Sequence, residues 1–218
     1  MSDAAAIERH FLGALSHARG CAQPFPHWLL DAVLPPDTCA AIRGLPIEPP
    51  RIADTDGKRD SHNASRRFLA ADLIARVPAC RDLALALASP RATAAIDARC
   101  GSRLRGSALR IEYCQDTDGF WLEPHTDISA KLFTMLVYLS DEPAAERWGT
   151  DLMTAAGDVV ATAPCHAGAG LIFLPGADTW HGFRRRPITG VRRSLIVNYV
   201  TPDWRARHEL AFPDAPIG

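Results

Sequence analysis

Lysine is almost missing from this chain, with 2 lysines against 22 arginines among its 24 basic residues; together with abundant alanine, that bias fits GC-rich bacterial coding and carries no chemistry of its own. A basic excess is missing too. The formal net charge of -1 argues against nucleic acid as a partner, because such proteins usually carry a cationic face. No stretch approaches 18 apolar residues, which argues against a membrane helix. The opening MSDAAAIERHFLGALSHARG has no basic segment followed by an unbroken apolar run, so a cytoplasmic location is expected. There is no C-x-x-C pair: Cys21, Cys39, Cys80, Cys100, Cys114 and Cys165 are scattered, which suggests reduced thiols rather than a disulfide framework or thiolate metal site. Repeats, low-complexity segments and an obvious linker are also lacking, so 1–218 is expected to be one domain.

What is present changes texture near Gly101. Before it the signals are mostly helical: a helix capped by Ser2 or Asp3 and running to about Arg19 with Gly20 as its terminator, then a short strand over Phe25–Leu30. A helix over PPDTCAAIRG closes at Gly44, and helices resume from Leu69 to Cys100, interrupted at Pro78 and Pro90. Between them, residues 48–67 are strongly polar and read as a surface loop. After Gly101 come short β-like runs: SALRIEYC, PHTDI, KLFTMLVYLS, GTDLMTA, GDVVATAP, GLIFLP and RRSLIVNYV. Such punctuation predicts an α+β, mainly β chain: a jelly roll over 101–202, with the helical residues 1–100 packed around it.

Within PHTDI, His125 and Asp127 form an H-x-D pair. With 8 histidines in the chain, chance alone supplies roughly 0.7 such pairs, so the surroundings must decide. On an extended strand, residues i and i+2 face one way, so both side chains would enter one cavity. A second imidazole would complete a 2-His-1-carboxylate triad, the arrangement that leaves positions open on non-haem Fe(II). His166 and His181 are the downstream candidates, and His181, just after the apolar strand GLIFLPG, is the better placed. In RRSLIVNYV, alternation puts Arg192, Ser194, Ile196 and Asn198 on one face. An arginine facing a barrel interior needs a partner, and a dicarboxylate held by Arg192 with Ser194 would supply one.

The order of these elements, from H-x-D through YLS and G-x-x-L to His181 and G-x-R-x-S-L, resembles the 2-oxoglutarate and Fe(II)-dependent dioxygenases. Among them the likeness is to the prolyl-hydroxylase-type branch, over about Leu109 to Thr201. The resemblance implies a double-stranded β-helix, iron on His125, Asp127 and His181, and O2 as co-reactant. It implies that Arg192, with Ser194 and Tyr138, holds the distal carboxylate of 2-oxoglutarate, and that Tyr113 lines the same pocket. The reaction implied is hydroxylation of an unactivated C–H bond in a small molecule or peptidyl residue, with release of succinate and CO2. Two positions depart from the family pattern: Gly149-Thr150-Asp151-Leu152 stands for Gly-Gly-Glu-Leu, and Asn198 stands where an aromatic residue is common. For the substrate, Phe120 and Trp121 are candidate wall residues, Asn198 a candidate contact, and His62, Asn63 and Arg66 a candidate lid. The competing reading is a non-catalytic, metal-binding module of the cupin kind, which has no use for the Arg192/Ser194 clamp.

Overall fold

The structure, a computed structural model, describes residues 3–59 and 66–218; His62 and Asn63 lie outside them. Helix α1 (Ala4–Ser16) starts where Asp3 accepts a hydrogen bond from the Ala6 amide at 2.7 Å. It stops three residues short of Arg19 because Arg19–Cys21 form a strand, β1, paired with β2 (His27–Leu30). The expected terminator Gly20 therefore lies in a sheet, opposite Trp28. Helix α2 (Pro36–Arg43) is followed by the polar segment, and β3 (Arg66–Phe68) leads into α3 (Ala71–Arg76), α4 (Pro78–Ala88) and α5 (Pro90–Cys100). Pro36, Pro78 and Pro90 each begin a helix, where the missing N–H has no intrahelical partner to lose.

Eight strands follow: β4 (Ala108–Asp116), β5 (Leu122–His125), β6 (Lys131–Tyr138), β7 (Asp151–Met153), β8 (Val159–Thr162), β9 (Gly170–Phe173), β10 (His181–Phe183) and β11 (Arg192–Val200). All strand pairing among the described residues is antiparallel. One sheet runs β1-β2-β9-β6-β11-β4-β3 and the other β5-β10-β7-β8, so the first hundred residues give three strands to the larger sheet. The outer face of that sheet packs Ile111, Val137 and Leu195 against Phe11, Leu83 and Leu87 of the helices. Its inner face packs Leu136, Leu171 and Phe173 against Leu152 and Phe183 of the smaller sheet. Burial on both sides accounts for the unbroken apolar run of β6, each such side chain contributing about 1.5–3 kcal/mol.

The register of β11 arranges the interior. Arg192, Ser194, Ile196 and Asn198 lie opposite Asp116, Cys114, Glu112 and Arg110 of β4; across β6, Ser194, Ile196 and Asn198 face Tyr138, Leu136 and Thr134. After β11 the chain folds back, bridging Leu210 to Arg110, and so brings Trp204 and Glu209 to the end of β4. Among the described residues no helix is long and apolar enough to cross a membrane.

Candidate metal centre and its cavity

His125 and His181 are paired across β5 and β10, with ring centroids 4.4 Å apart. Gly182 permits this approach, since a Cβ there would stand 2.9 Å from the Leu122 carbonyl oxygen. Each histidine donates through Nδ1 to the carbonyl two residues earlier, Glu123 and Thr179 respectively, both at 2.9 Å. This fixes both tautomers and leaves each Nε2 as a free lone pair. Asp127 completes the group: one ligand atom from each of the three lies within 4.8 Å of the others. β5 ends at His125, so Asp127 arrives by the turn that follows rather than from the same strand face as expected. The turn serves because Lys131 and Thr134 hold the carboxylate from β6, at 2.6 and 2.7 Å.

The electrostatics suit a cation. Burial opposes ionisation of Asp127, but Lys131 and His181 beside it outweigh that and bring its carboxyl down to about 2. Burial, with His125 adding to it, pushes His181 down to about 4, so its imidazole is neutral at ordinary pH. These residues line a cavity of about 450 Å³ that reaches between the sheets. Both lysines of the chain, Lys58 and Lys131, are among its walls.

Arg192 occupies a buried end of this cavity, 2% exposed, with Phe183 and Tyr138 under its guanidinium at 4.9 and 5.6 Å. The expectation that it needs an external carboxylate is corrected: Asp116, directly opposite in the ladder, is 2.5 Å from Nη1. Nε donates to the Trp148 carbonyl at 2.6 Å and Nη2 to Thr150 Oγ1 at 3.3 Å, so two of the five N–H donors are uncommitted. Asp116 also receives both terminal nitrogens of Arg59, at 2.8 and 3.2 Å. Two guanidiniums therefore share one carboxylate and leave one positive charge in excess. Tyr138 supports this end indirectly, its hydroxyl donating to Thr150 Oγ1 at 2.9 Å. Ser194, two residues along the same face of β11, is not among the cavity-lining residues, and its Oγ is buried without a partner among the described residues.

Other expected site residues stand elsewhere. Tyr113 is turned away from the cavity: it lies on the β4 face carrying Leu109 and Ile111, within the helix-side core, and its hydroxyl donates to the Arg43 carbonyl at 3.4 Å. Phe120 is beneath the wall rather than in it, its ring tilted against Phe183 at 5.6 Å and under Arg59. Trp121 is farther out, with Nε1 donating to Asp54 at 2.6 Å and Arg185 above its ring at 4.4 Å. Asn198 does face inward, but its amide is engaged by Arg110, Thr134 and the Phe133 carbonyl rather than open to a substrate. Arg66 lines the cavity and pairs with Glu112 at 3.2 Å.

The polar segment, expected as a surface loop, is fastened down over residues 47–59. Thr55 and Asp54 bind Trp121, Gly57 (φ 73°) passes beneath the same ring, and Arg185 pairs with Asp54 at 2.5 Å. The segment thereby carries Arg59 to Asp116. Arg59, Asp116, Thr150, Arg110, Glu112, Thr134, Trp204 and Glu209 all escaped the reading from sequence. For β4 a signal existed: Arg110, Glu112, Cys114 and Asp116 alternate with Leu109, Ile111 and Tyr113.

Two facing antiparallel sheets backed by helices define the class as an α+β protein of the jelly-roll type. Solved structures with this fold include a prolyl-4-hydroxylase from Pseudomonas putida (14% identity, TM-score 0.56, covering 89% of this chain and 92% of that one). Another is a prolyl hydroxylase from Trichoplax adhaerens bound to a peptide fragment of the hypoxia inducible factor oxygen degradation domain (13%, 0.59, 93% of each). A third is HygX from Streptomyces hygroscopicus with nickel and 2-oxoglutarate (18%, 0.53, 80% and 82%). No protein-family model matches the sequence, and no curated protein matches it either.

Proposed function

We propose that this chain is a 2-oxoglutarate- and Fe(II)-dependent dioxygenase, built on a double-stranded β-helix, that hydroxylates an unactivated C–H bond of a small polar molecule. The observation that carries the reading is the placement of the His125, Asp127 and His181 ligand atoms on the same cavity as the cation-rich end at Arg192. The residues fit the groups they would hold. Two imidazoles and a carboxylate are the donor set Fe(II) accepts, with positions left for cosubstrate and O2. The excess positive charge of Arg59, Arg192 and Asp116 and the two free N–H groups of Arg192 suit a carboxylate entering that end.

Bound there, iron with 2-oxoglutarate and O2 supplies the oxidising chemistry, yielding succinate, CO2 and the hydroxylated product. The protein's own part is to hold and orient. Arg192 grips the distal carboxylate, Thr150 and Tyr138 brace the guanidinium, and Phe183, Leu136 and Ile196 make an apolar wall along the cavity. Lys131 and Thr134 keep Asp127 ionised and aimed. Six basic and four acidic side chains line the cavity, and it must hold the cosubstrate as well. That favours a small, polar substrate over an apolar one.

Purified protein supplied with Fe(II) is expected to convert 2-oxoglutarate to succinate, slowly alone and faster with the right member of a polar substrate panel. Arg192→Ala is expected to weaken 2-oxoglutarate binding on the order of a hundredfold, the effect of losing two charged hydrogen bonds, with Fe(II) affinity changed less than about threefold. Titration calorimetry on metal-loaded protein reads both. Metal binding without any 2-oxoglutarate binding in the unmodified protein would replace the oxygenase with a metal-binding module.

A further inference from the structure

The inference rests on His125, Asp127 and His181 being the metal ligands, and concerns what aims the carboxylate among them. Thr134 Oγ1 is 2.7 Å from Asp127 Oδ2, and Asn198 Nδ2 is 2.9 Å from the same hydroxyl. Asn198 Oδ1 is in turn 3.3 Å from Arg110 Nη1. The proton directions along this line allow no alternative. A guanidinium only donates, so the Asn198 oxygen must face Arg110 and its NH2 must face Thr134. The hydroxyl of Thr134 then accepts from Asn198, and its single proton goes to Asp127.

Arg110 is itself immobilised. Its Nε donates to Glu209 at 2.6 Å, it is ion-paired with Glu112, and its guanidinium lies over the rings of Phe68 and Trp204 at 4.8 and 5.1 Å. Thr134, Asn198 and Arg110 are all buried, at 2%, 0% and 4% exposure. The second amide proton of Asn198 goes to the Phe133 carbonyl at 3.3 Å, which holds the NH2 on the Thr134 side and agrees with the direction that Arg110 sets.

We propose that Asn198, acting through Thr134, is a positioning residue for the metal-binding carboxylate of Asp127, with Arg110 fixing which way the asparagine amide points. The residue that departs from the aromatic common at this place is then part of the metal site's support rather than a substrate contact.

Co(II) titration of the purified protein, with the visible absorption of the bound cobalt as a second readout, tests this without turnover. Asn198→Asp keeps the shape and the Arg110 contact but replaces a donor by an acceptor, which draws the Thr134 proton away from Asp127. Thr134→Val removes the hydroxyl at nearly constant volume, and Thr134→Ser keeps it. Asn198→Asp and Thr134→Val are expected to weaken Co(II) binding about 10–100-fold and to shift the cobalt bands. Thr134→Ser is expected to stay within about threefold of the unmodified protein with unchanged bands. A Thr134→Val protein that melts cooperatively, binds Co(II) as tightly as the unmodified chain and shows the same spectrum overturns the link. Failure of the unmodified protein to bind Co(II) would instead overturn the metal centre itself.

Discussion

Replacing Asp116 with asparagine is expected to cost about 3–5 kcal/mol of stability, the range for removing one partner from a buried ion pair. The carboxylate is fully buried and stands between Arg59 and Arg192. Without it, two guanidiniums face each other with their shared, directly bonded counter-charge gone, and neither can shed its proton. Burial works against the charge on Arg59, and Asp116 is what more than restores it. For a chain of 218 residues, this loss lowers the melting temperature by roughly 10 °C. The same argument predicts that 2-oxoglutarate, bringing a carboxylate to that end, raises the melting temperature of Asp116→Asn more than that of the unmodified protein. Thermal unfolding by circular dichroism, with and without metal and 2-oxoglutarate, measures both. A variant melting within about 2 °C of the unmodified protein would show that Asp116 is not the counter-ion the geometry makes it.

Replacing His181 with alanine is expected to weaken metal binding by more than about a hundredfold and to abolish 2-oxoglutarate turnover, since a ligand lost costs more than a supporting contact. His166→Ala is expected to leave both nearly unchanged. The two histidines were rival third ligands on sequence grounds, and their surroundings now separate them. His181 is buried with its ring tilted against those of His125 and Phe173, whereas His166 is half exposed and pairs with Asp31 at 3.3 Å. Parallel titrations of the two variants with Fe(II) under anaerobic conditions decide the assignment; loss of binding in His166→Ala alone would reverse it.

Period-two alternation is local, and it was legible wherever a strand is long. RRSLIVNYV put Arg192, Ser194 and Asn198 on one face, and the ladder places them there. The same rule applied to LRIEYCQD would have set Tyr113 with Leu109 and Ile111, away from the cavity, and Asp116 inside it. Tyr113 was instead assigned through a resemblance, which carries no information about the pleat. H-x-D, being only three residues long, could not report that β5 ends at its histidine. A turn held by Lys131 and Thr134 achieves the convergence that a strand was expected to provide.

The polar segment before β3, expected as a surface loop, carries no helix or strand over residues 47–58; what its sequence hid is how it is tied down. Low apolar content marks a stretch that builds no core, and residues 47–59 indeed contribute little to one. Their order comes from hydrogen bonds to partners more than 60 positions away, such as Asp54 and Thr55 to Trp121, and no local pattern encodes those pairings.

By itself, then, the amino-acid order determined the alternation of strands, the helix starts at proline, the chemical types in the triad and the inward face of β11, because each depends on neighbours within a few residues. Tertiary structure alone decided which carboxylate answers Arg192, that Arg59 shares it, and that Asn198 serves Asp127 through Thr134. Those contacts join segments distant along the chain, and the charges and protons involved find their partners only once the two sheets exclude water from between them.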